Sequence, residues 1–290
     1  MMMKAELLFD ARAALGEGAI WSGERLLWVD IEGFTVNRLD PRTRVNESWN
    51  VGQRVGTVVP RKAGGLVVAV HRGVGFLDTV SGGFSLFADP AGGRDELRFN
   101  DGKCDPRGRL FAGTMGIAKP RVPGCLYRID PDQGVTCVLE GTGTSNGLAW
   151  SADASIMYYI DTPTLEVSAF DYDVESGAIS SRRTAVKFSG EKGRPDGMSI
   201  DAEGNLWVAL WGGWGVVCCD PRTGRILERV DAPASQTTSC AFGGPDLRDL
   251  FITSARHGLS PEALESEPDA GGIFVVRPGV KGVPAFPFAG

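Results

Sequence analysis

A short apolar anchor recurs six times along this chain of 290 residues. The first residues of successive anchors lie 40, 44, 46, 50 and 44 positions apart. The anchors are Leu26-Leu27-Trp28, Leu66-Val67-Val68, Leu110-Phe111-Ala112, Ile156-Met157-Tyr158, Leu206-Trp207-Val208 and Leu250-Phe251-Ile252. A period of about 40 to 50 residues, made of short apolar segments typical of strands, indicates four-stranded propeller blades, whereas solenoid repeats are shorter. We therefore predict an all-β fold, a six-bladed β-propeller that forms a single domain over residues 1–290.

The ring of such a fold must close, because radial repetition hides the sheet edges only when every blade is complete. Residues 4–9 read as a strand near the start of the chain. We expect this strand to complete the last blade beside residues 272–276, so that the N- and C-terminal parts of the propeller are tied together.

A polar residue recurs at the same phase of four repeats. Glu17 lies nine residues before its anchor, and Asn100, Asn146 and Asp196 lie ten residues before theirs. The innermost strands of a propeller line a central channel, so we expect these four side chains to converge at one mouth of it. The alternative is that they only cap strands, although caps favour Ser and Thr and do not require two acids at one phase.

Composition and charge exclude several classes of protein. The chain is 42% apolar with 40 Gly and 17 Pro, which suits many short strands and tight turns. Its net charge is −6 and no run of Lys or Arg stands out, so nucleic acid is excluded as a partner. No long apolar run or signal peptide is present, so we expect a cytoplasmic protein with no membrane partner. The six scattered cysteines fit reduced thiols, and a monomer is the expected state.

The chemistry of the four converging residues favours a metal. One Glu, one Asp and two Asn form an oxygen-only donor set, which suits a single divalent cation of hard or borderline character. Three or four protein ligands leave positions open for water or substrate, as a catalytic metal requires. The two histidines, His71 and His257, do not share the phase of these residues, and no nucleophile elbow supports a serine hydrolase.

Several motifs in order resemble one known family along nearly the whole chain. They include residues 15–18 (Leu-Gly-Glu-Gly), 98–103 (Arg-Phe-Asn-Asp-Gly-Lys), 111–115 (Phe-Ala-Gly-Thr-Met), 145–148 (Ser-Asn-Gly-Leu), 195–198 (Pro-Asp-Gly-Met) and 270–274 (Ala-Gly-Gly-Ile-Phe). The family is the SMP-30/gluconolactonase/luciferin-regenerating-enzyme family, including its regucalcin-like members and bacterial sugar lactonases. This resemblance implies a six-bladed propeller that hydrolyses sugar lactones to aldonic acids with one divalent metal ion, zinc, manganese or calcium.

The resemblance also implies a role for individual residues. Glu17, Asn146 and Asp196 match the metal ligands, and Asp196 additionally matches the base that activates water. Arg98 and Asn100 match residues that bind the substrate. In one departure, Ala118 stands where regucalcin-like members carry a substrate-contacting Glu, and the stretch 116–124 is shorter than the mammalian lid loop. The resemblance therefore leaves the preferred lactone open.

Taken together, these features predict a metal-dependent sugar lactonase whose partner is a small-molecule sugar lactone, and the lack of a basic run favours an uncharged polyol. Two alternatives stay open at this point. One is a non-sugar ester or phosphotriester hydrolase on the same scaffold, and the other is a calcium-binding, regucalcin-like regulatory protein. A propeller with one open-sided site offers no bistable element for a calcium switch, which argues against the second alternative.

Overall fold

In residues 3–118 and 121–290, which the computed structural model describes, twenty-five strands form six mainly antiparallel sheets arranged as the blades of a β-propeller. Two short strands come first, β1 (Met3–Lys4) and β2 (Glu6–Phe9). Blade 1 contains β3 (Gly16–Ser22), β4 (Arg25–Asp30), β5 (Thr35–Leu39) and β6 (Asn46–Asn50). Blade 2 contains β7 (Val55–Pro60), β8 (Leu66–Val70), β9 (Gly73–Leu77) and β10 (Phe84–Ala88). Blade 3 contains β11 (Leu97–Cys104), β12 (Leu110–Gly116), β13 (Gly124–Ile129) and β14 (Val135–Thr142).

The second half of the ring repeats this plan. Blade 4 contains β15 (Ser145–Trp150), β16 (Ile156–Asp161), β17 (Glu166–Asp173) and β18 (Ala178–Lys187). Blade 5 contains β19 (Arg194–Ile200), β20 (Leu206–Trp211), β21 (Gly215–Asp220) and β22 (Arg225–Asp231). Blade 6 contains β23 (Thr237–Gly243), β24 (Asp249–Ser254) and β25 (Ile273–Val276). The helical segments are a 3₁₀ helix, Thr162–Thr164, and α1, Pro261–Ser266. Among the described residues, no helix has the length and apolar character needed to cross a membrane.

The six predicted anchors lie in the second strands of the six blades, and the prediction of six blades is confirmed. These strands read as apolar runs because neighbouring blades pack on both of their faces. In β8, every residue from Leu66 to Val70 is buried. The first strand of each blade is innermost and contacts the first strands of the adjacent blades, so that six strands surround the central channel.

The ring closes through the N-terminal strands. β2 pairs antiparallel with β25, with Glu6 opposite Val275 and Leu7 opposite Phe274, so it supplies the fourth strand of blade 6 as predicted. β1 pairs parallel with β22 in blade 5, which the sequence did not indicate. Residues 3–9 therefore connect two neighbouring blades.

The segment after β25 crosses the far end of the channel. The Ala202 amide of blade 5 donates to the Lys281 carbonyl at 2.7 Å, and the Phe288 amide donates to the Pro60 carbonyl of blade 2 at 2.8 Å. The Ala289 amide adds a bond to the Gly108 carbonyl of blade 3 at 2.9 Å. Phe288 is fully buried in the apolar core between these blades. This segment therefore covers one end of the channel and leaves the other end for a site.

Candidate active site

Each of the six innermost strands has a β-bulge at an equivalent place. The register with the second strand shifts between Glu17 and Ile20 in β3, and corresponding shifts occur in β7, β11, β15, β19 and β23. A bulge places extra backbone in one strand and re-aims the side chains there. Glu17, Asn100, Asn146 and Asp196 all lie within these shifts or at their borders. The common phase seen in the sequence thus corresponds to a common bulge that turns polar side chains into the channel.

Glycines allow the bulged strands to approach one another. A Cβ atom on Gly147 would lie 2.5 Å from the Met198 Cβ and 2.9 Å from the Asp196 carbonyl oxygen. A Cβ atom on Gly197 would lie 2.7 Å from the Ser239 Cα. Because backbone atoms cannot yield at such distances, only glycine fits at these two positions. Each glycine follows a polar channel residue, so the Asn-Gly and Asp-Gly pairs bring neighbouring blades together at the site.

The open end of the channel holds a cavity of about 380 Å³. Its wall includes all five residues that the sequence analysis singled out: Glu17, Arg98, Asn100, Asn146 and Asp196. All five side chains are buried, with exposed fractions between 2% and 7%. The volume suits a small ligand of sugar size rather than a macromolecule.

Two carboxylates meet at the floor of this cavity. Glu17 and Asp196 lie within hydrogen-bonding distance of each other, and the Gly18 amide donates to Glu17 Oε2 at 2.9 Å. Burial, together with the charge of Asp101, raises the pKa of Glu17 to about 8. Burial and then the charge of Glu17 raise the pKa of Asp196 well above its ordinary range. Two buried acids in contact repel when both ionise, so the pair is poised to bind either a proton or a cation.

A hydrogen-bond chain fixes the orientation of Asn146. Its Nδ2 donates to Thr162 Oγ1 at 2.7 Å, and that hydroxyl donates to the Pro195 carbonyl at 2.8 Å. Thr162 belongs to the 3₁₀ helix of blade 4, whereas Pro195 immediately precedes Asp196 in blade 5. The chain therefore connects two channel residues across a blade boundary and turns the Asn146 Oδ1 away from Thr162.

Asn100 and Arg98 form a second connected pair. Asn100 Nδ2 donates to the Asn146 Oδ1 at 2.9 Å and to the Ser145 carbonyl at 2.7 Å. Arg98 Nη1 donates to the Asn100 Oδ1 at 2.6 Å. Burial lowers the pKa of Arg98 to about 10, with the charges of Glu32 and Glu17 acting in the opposite direction. Because the donor to the Asn100 oxygen is the positively charged Arg98, which would repel a cation, Asn100 is less suited than Asn146 as a metal ligand.

The donor set fits a hard divalent cation. Within residues 3–118 and 121–290 no group of three or more His, Cys, Asp and Glu side chains is arranged for a metal, so a soft, thiolate-rich or histidine-rich site is absent there. Glu17 and Asp196 are instead two buried carboxylates that form no ion pair with a described cationic side chain. The Asn146 Oδ1 accepts one hydrogen bond and retains a second lone pair. Two carboxylates and one amide oxygen match the ligands that such cations prefer.

Several residues at this site were not predicted from the sequence. Asp101 is buried directly after Asn100, and Lys103 donates to the Met198 carbonyl behind the cavity. Burial raises the pKa of Asp101 and lowers the pKa of Lys103, while their opposite charges counteract both changes. The motif that contains them gave a signal, because two charged residues flank Gly102 in a strand that is otherwise buried.

The cavity wall also contains His257 and Trp211. His257 is exposed and lines the cavity. Trp211 lies partly buried in the cavity wall. Ala118 is exposed and does not line the cavity, whereas the neighbouring Ile117 does. Two residues of the loop 116–124, at positions 119 and 120, lie outside the described residues.

Comparisons with known proteins agree on one family. The family model described as SMP-30/Gluconolactonase/LRE-like region matches residues 15–256. Regucalcin from Danio rerio is 44% identical over 293 residues, covering 99% of both chains. The structure of a luciferin-regenerating enzyme is 31% identical with a TM-score of 0.91, covering 98% of this chain and 99% of that one. Regucalcin from Agrobacterium tumefaciens, described as a calcium-binding protein, is 27% identical with a TM-score of 0.93, covering 99% and 98%.

Proposed function

Because the chain belongs to the SMP-30/gluconolactonase/LRE-like family, we propose that it is a metal-dependent sugar lactonase that hydrolyses an aldonolactone to the aldonic acid. The observation that carries this proposal is the contact of two buried carboxylates, Glu17 and Asp196, on the floor of a sugar-sized cavity. Such a pair supplies the groups that bind a cation and accept a proton, which are the requirements of metal-assisted ester hydrolysis.

Glu17, Asn146 and Asp196 would hold the cation. When bound, it would polarise the ester carbonyl and lower the pKa of a water molecule. The oxygen-only donor set is compatible with calcium, manganese or zinc, and it does not select one of them.

Asp196 is the proposed base. It would accept the proton of the attacking water on its carboxylate, because it lines the cavity in contact with Glu17, where a bound cation would lower the pKa of that water. Glu17 stays in place through the bond from the Gly18 amide to its Oε2. The two acids therefore have different proposed roles: Glu17 is a metal ligand, and Asp196 is both a ligand and the base.

Arg98 and Asn100 are the proposed substrate-binding residues. Arg98 uses Nη1 to hold Asn100 and the Phe99 carbonyl, and no described residue accepts a bond from its Nε or Nη2. Those N–H groups are therefore available to hydroxyl groups of the lactone. Because Asn100 is bound to both Arg98 and Asn146, it links the substrate-binding arginine to the proposed metal ligands.

The direct test is hydrolysis of a panel of aldonolactones by metal-stripped protein, with and without zinc, manganese, calcium or magnesium. We expect one or more of the metals to restore activity. The Asp196→Ala variant should lose both metal binding and hydrolysis, whereas Asp10→Ala, which removes an exposed aspartate outside the channel, should retain both. Turnover by Asp196→Ala at the wild-type rate would contradict the proposal.

A second readout separates substrate binding from metal binding. The Arg98→Ala variant should raise KM or lower kcat/KM while the protein still binds one metal ion, measured by calorimetric titration. Loss of the metal in this variant would mean that Arg98 supports the ligands rather than the substrate.

A calcium-binding regulatory role is the second candidate, because the similar Agrobacterium protein is described as a calcium-binding protein. Tight calcium binding with no hydrolysis of any lactone would favour it, and activity on aryl esters or phosphotriesters alone would favour the non-sugar hydrolase. A cytoplasmic location and a monomeric state remain predictions, which fractionation of cells and light scattering would check.

A further inference from the structure

Four arginines from separate parts of the chain line the proposed lactonase cavity. They are Arg54, Arg98, Arg121 and Arg194. Positions 54, 98, 121 and 194 do not form a basic run in the sequence, so the cluster arises only through the fold. The same wall carries three carboxylates, those of Glu17, Glu32 and Asp196. The balance between the arginines and the carboxylates determines the net charge of the cavity wall that faces a ligand.

None of the three carboxylates is left to neutralise the remaining arginines of the cavity. Glu32 pairs with Arg54 at 2.9 Å, and the hydrogen bond and charge of Arg54 hold the pKa of Glu32 below its ordinary range against the effect of burial. Glu17 and Asp196 carry two negative charges, which a divalent cation balances. In the described part of the chain, Arg98, Arg121 and Arg194 form no ion pair with a carboxylate. The loaded cavity therefore has three uncompensated guanidinium groups in a chain whose net charge is −6.

Arg121 and Arg194 lie at the rim of the cavity, on different blades. Arg121 precedes β13 in blade 3, is exposed and donates to Thr144 Oγ1 at 2.6 Å. Arg194 begins β19 in blade 5, is exposed, and makes no hydrogen bond with a described side chain. Neither is required by the fold as an ion-pair partner, and both face the space above the reacting groups. Their free N–H groups match an anionic oxygen group on a ligand.

We propose that the substrate of this lactonase is an acidic lactone, in which Arg121 and Arg194 bind a carboxylate or phosphate group remote from the ester. The inference rests on the proposed function and replaces the uncharged polyol expected from the sequence. Guanidinium groups bind both kinds of anion through paired N–H donors, so the shared chemistry is an anionic oxygen group and the test distinguishes its two forms.

The first arm of the test compares lactones that differ at one carbon. D-Glucaro-1,4-lactone has a carboxylate where D-glucono-1,4-lactone has a hydroxymethyl group, and 6-phospho-D-glucono-1,5-lactone has a phosphate where D-glucono-1,5-lactone has a hydroxyl. With the metal-loaded enzyme we expect kcat/KM for one acidic lactone to exceed that of its neutral counterpart at least tenfold. The pair that shows this preference identifies the anion, and the preference should weaken as ionic strength rises.

The second arm changes the arginines. Arg194→Gln and Arg121→Gln should each reduce the ratio of kcat/KM between acidic and neutral lactone about tenfold. Arg225→Gln provides a control with the same change in net charge, because Arg225 is exposed on β22, outside the cavity. It should leave the ratio unchanged. A parallel loss on both lactones in the two rim variants would indicate a purely structural role and overturn the inference.

A binding measurement gives a readout that does not depend on turnover. In calorimetric titrations of the metal-loaded protein, D-glucuronate should bind more tightly than D-glucose, and Arg194→Gln should remove most of the difference. If neutral lactones are hydrolysed at least as well as acidic ones, the inference fails and the proposed lactonase function stands. If no lactone is hydrolysed with any metal while D-glucuronate still binds, the proposed function fails and the anion site stands.

Discussion

Replacing Glu17 by glutamine removes one charge from the buried carboxylate pair and keeps the shape of the side chain. In the metal-free protein, burial and the charge of Asp101 raise the pKa of Glu17 from 4.5 to about 8. One pKa unit corresponds to about 1.4 kcal/mol, so full ionisation of Glu17 lowers the free energy of unfolding by about 5 kcal/mol. This is a large effect, because the total stability of a domain is typically about 5–15 kcal/mol.

The sign of the effect follows from where the proton resides. Between pH 4.5 and about 8, the folded state keeps a proton on Glu17 that the unfolded state has released. The folded state then binds more protons, so the free energy of unfolding decreases as the pH rises through this window. Asp196 acts in the same direction because its pKa is also raised. We therefore expect the metal-free wild type to lose stability between pH 5 and pH 9, and Glu17→Gln to lose much less.

Urea unfolding followed by tryptophan fluorescence in the presence of a chelator measures this difference. At pH 5 the two proteins should have similar free energies of unfolding, and at pH 9 Glu17→Gln should be more stable by several kcal/mol. Glu228→Gln, which removes an exposed carboxylate on β22, should follow the wild type at both pH values. The same pH dependence in wild type and Glu17→Gln would refute the reasoning.

At a saturating metal concentration, we expect the wild type to have a higher free energy of unfolding than Glu17→Gln. The cation competes with protons for Glu17 and Asp196, so its affinity should increase with pH across the window in which these groups lose their protons. Ligand binding to the folded state stabilises it in proportion to the logarithm of the ligand concentration over Kd. The wild type should then gain more stability from added metal than Glu17→Gln does. An equal gain in both proteins would place the metal elsewhere.

Three further predictions concern packing around the site. Asp105→Ala should reduce the free energy of unfolding by about 3–5 kcal/mol in urea, because it leaves the buried Arg109 without its ion-pair partner at 2.6 Å. Phe288→Ala should reduce it by about 3–5 kcal/mol by the same measurement, because this fully buried ring anchors the segment across the far end of the channel. Gly147→Ala should weaken metal binding in calorimetry, because its Cβ would lie 2.5 Å from the Met198 Cβ; wild-type affinity would contradict the close strand approach.

The blade count could be predicted from the sequence for a physical reason. The second strand of each blade is packed on both faces, so it must be apolar at successive positions, and such runs stand out between polar turns. The outer strands gave no comparable signal. In β6 the residues are mostly exposed or half-buried, and the composition Asn-Glu-Ser-Trp-Asn does not differ from that of a loop.

The floor of the site could also be predicted, whereas its rim could not. Glu17, Asn146 and Asp196 occupy equivalent bulges and therefore share a phase in the repeat. Arg194 lies two residues before Asp196, as Arg98 lies two residues before Asn100, a match that a search for basic runs overlooks, whereas Arg121 precedes β13 and shares no such phase. A sequence search for basic runs misses such a cluster, which explains why an uncharged substrate was expected.

The separation of charge between floor and rim has a consequence for how a substrate enters. Glu17 and Asp196 lie buried at the floor, and the exposed Arg121 and Arg194 lie at the rim. At the floor, a bound cation would attract the carbonyl oxygen of the ester, whereas the arginines at the rim attract an anion. An acidic lactone can satisfy both ends in only one orientation, with its ester directed inward and its anionic group outward. A lactone whose ester and anion lie too close together should therefore bind the rim without being hydrolysed, and it should act as a competitive inhibitor.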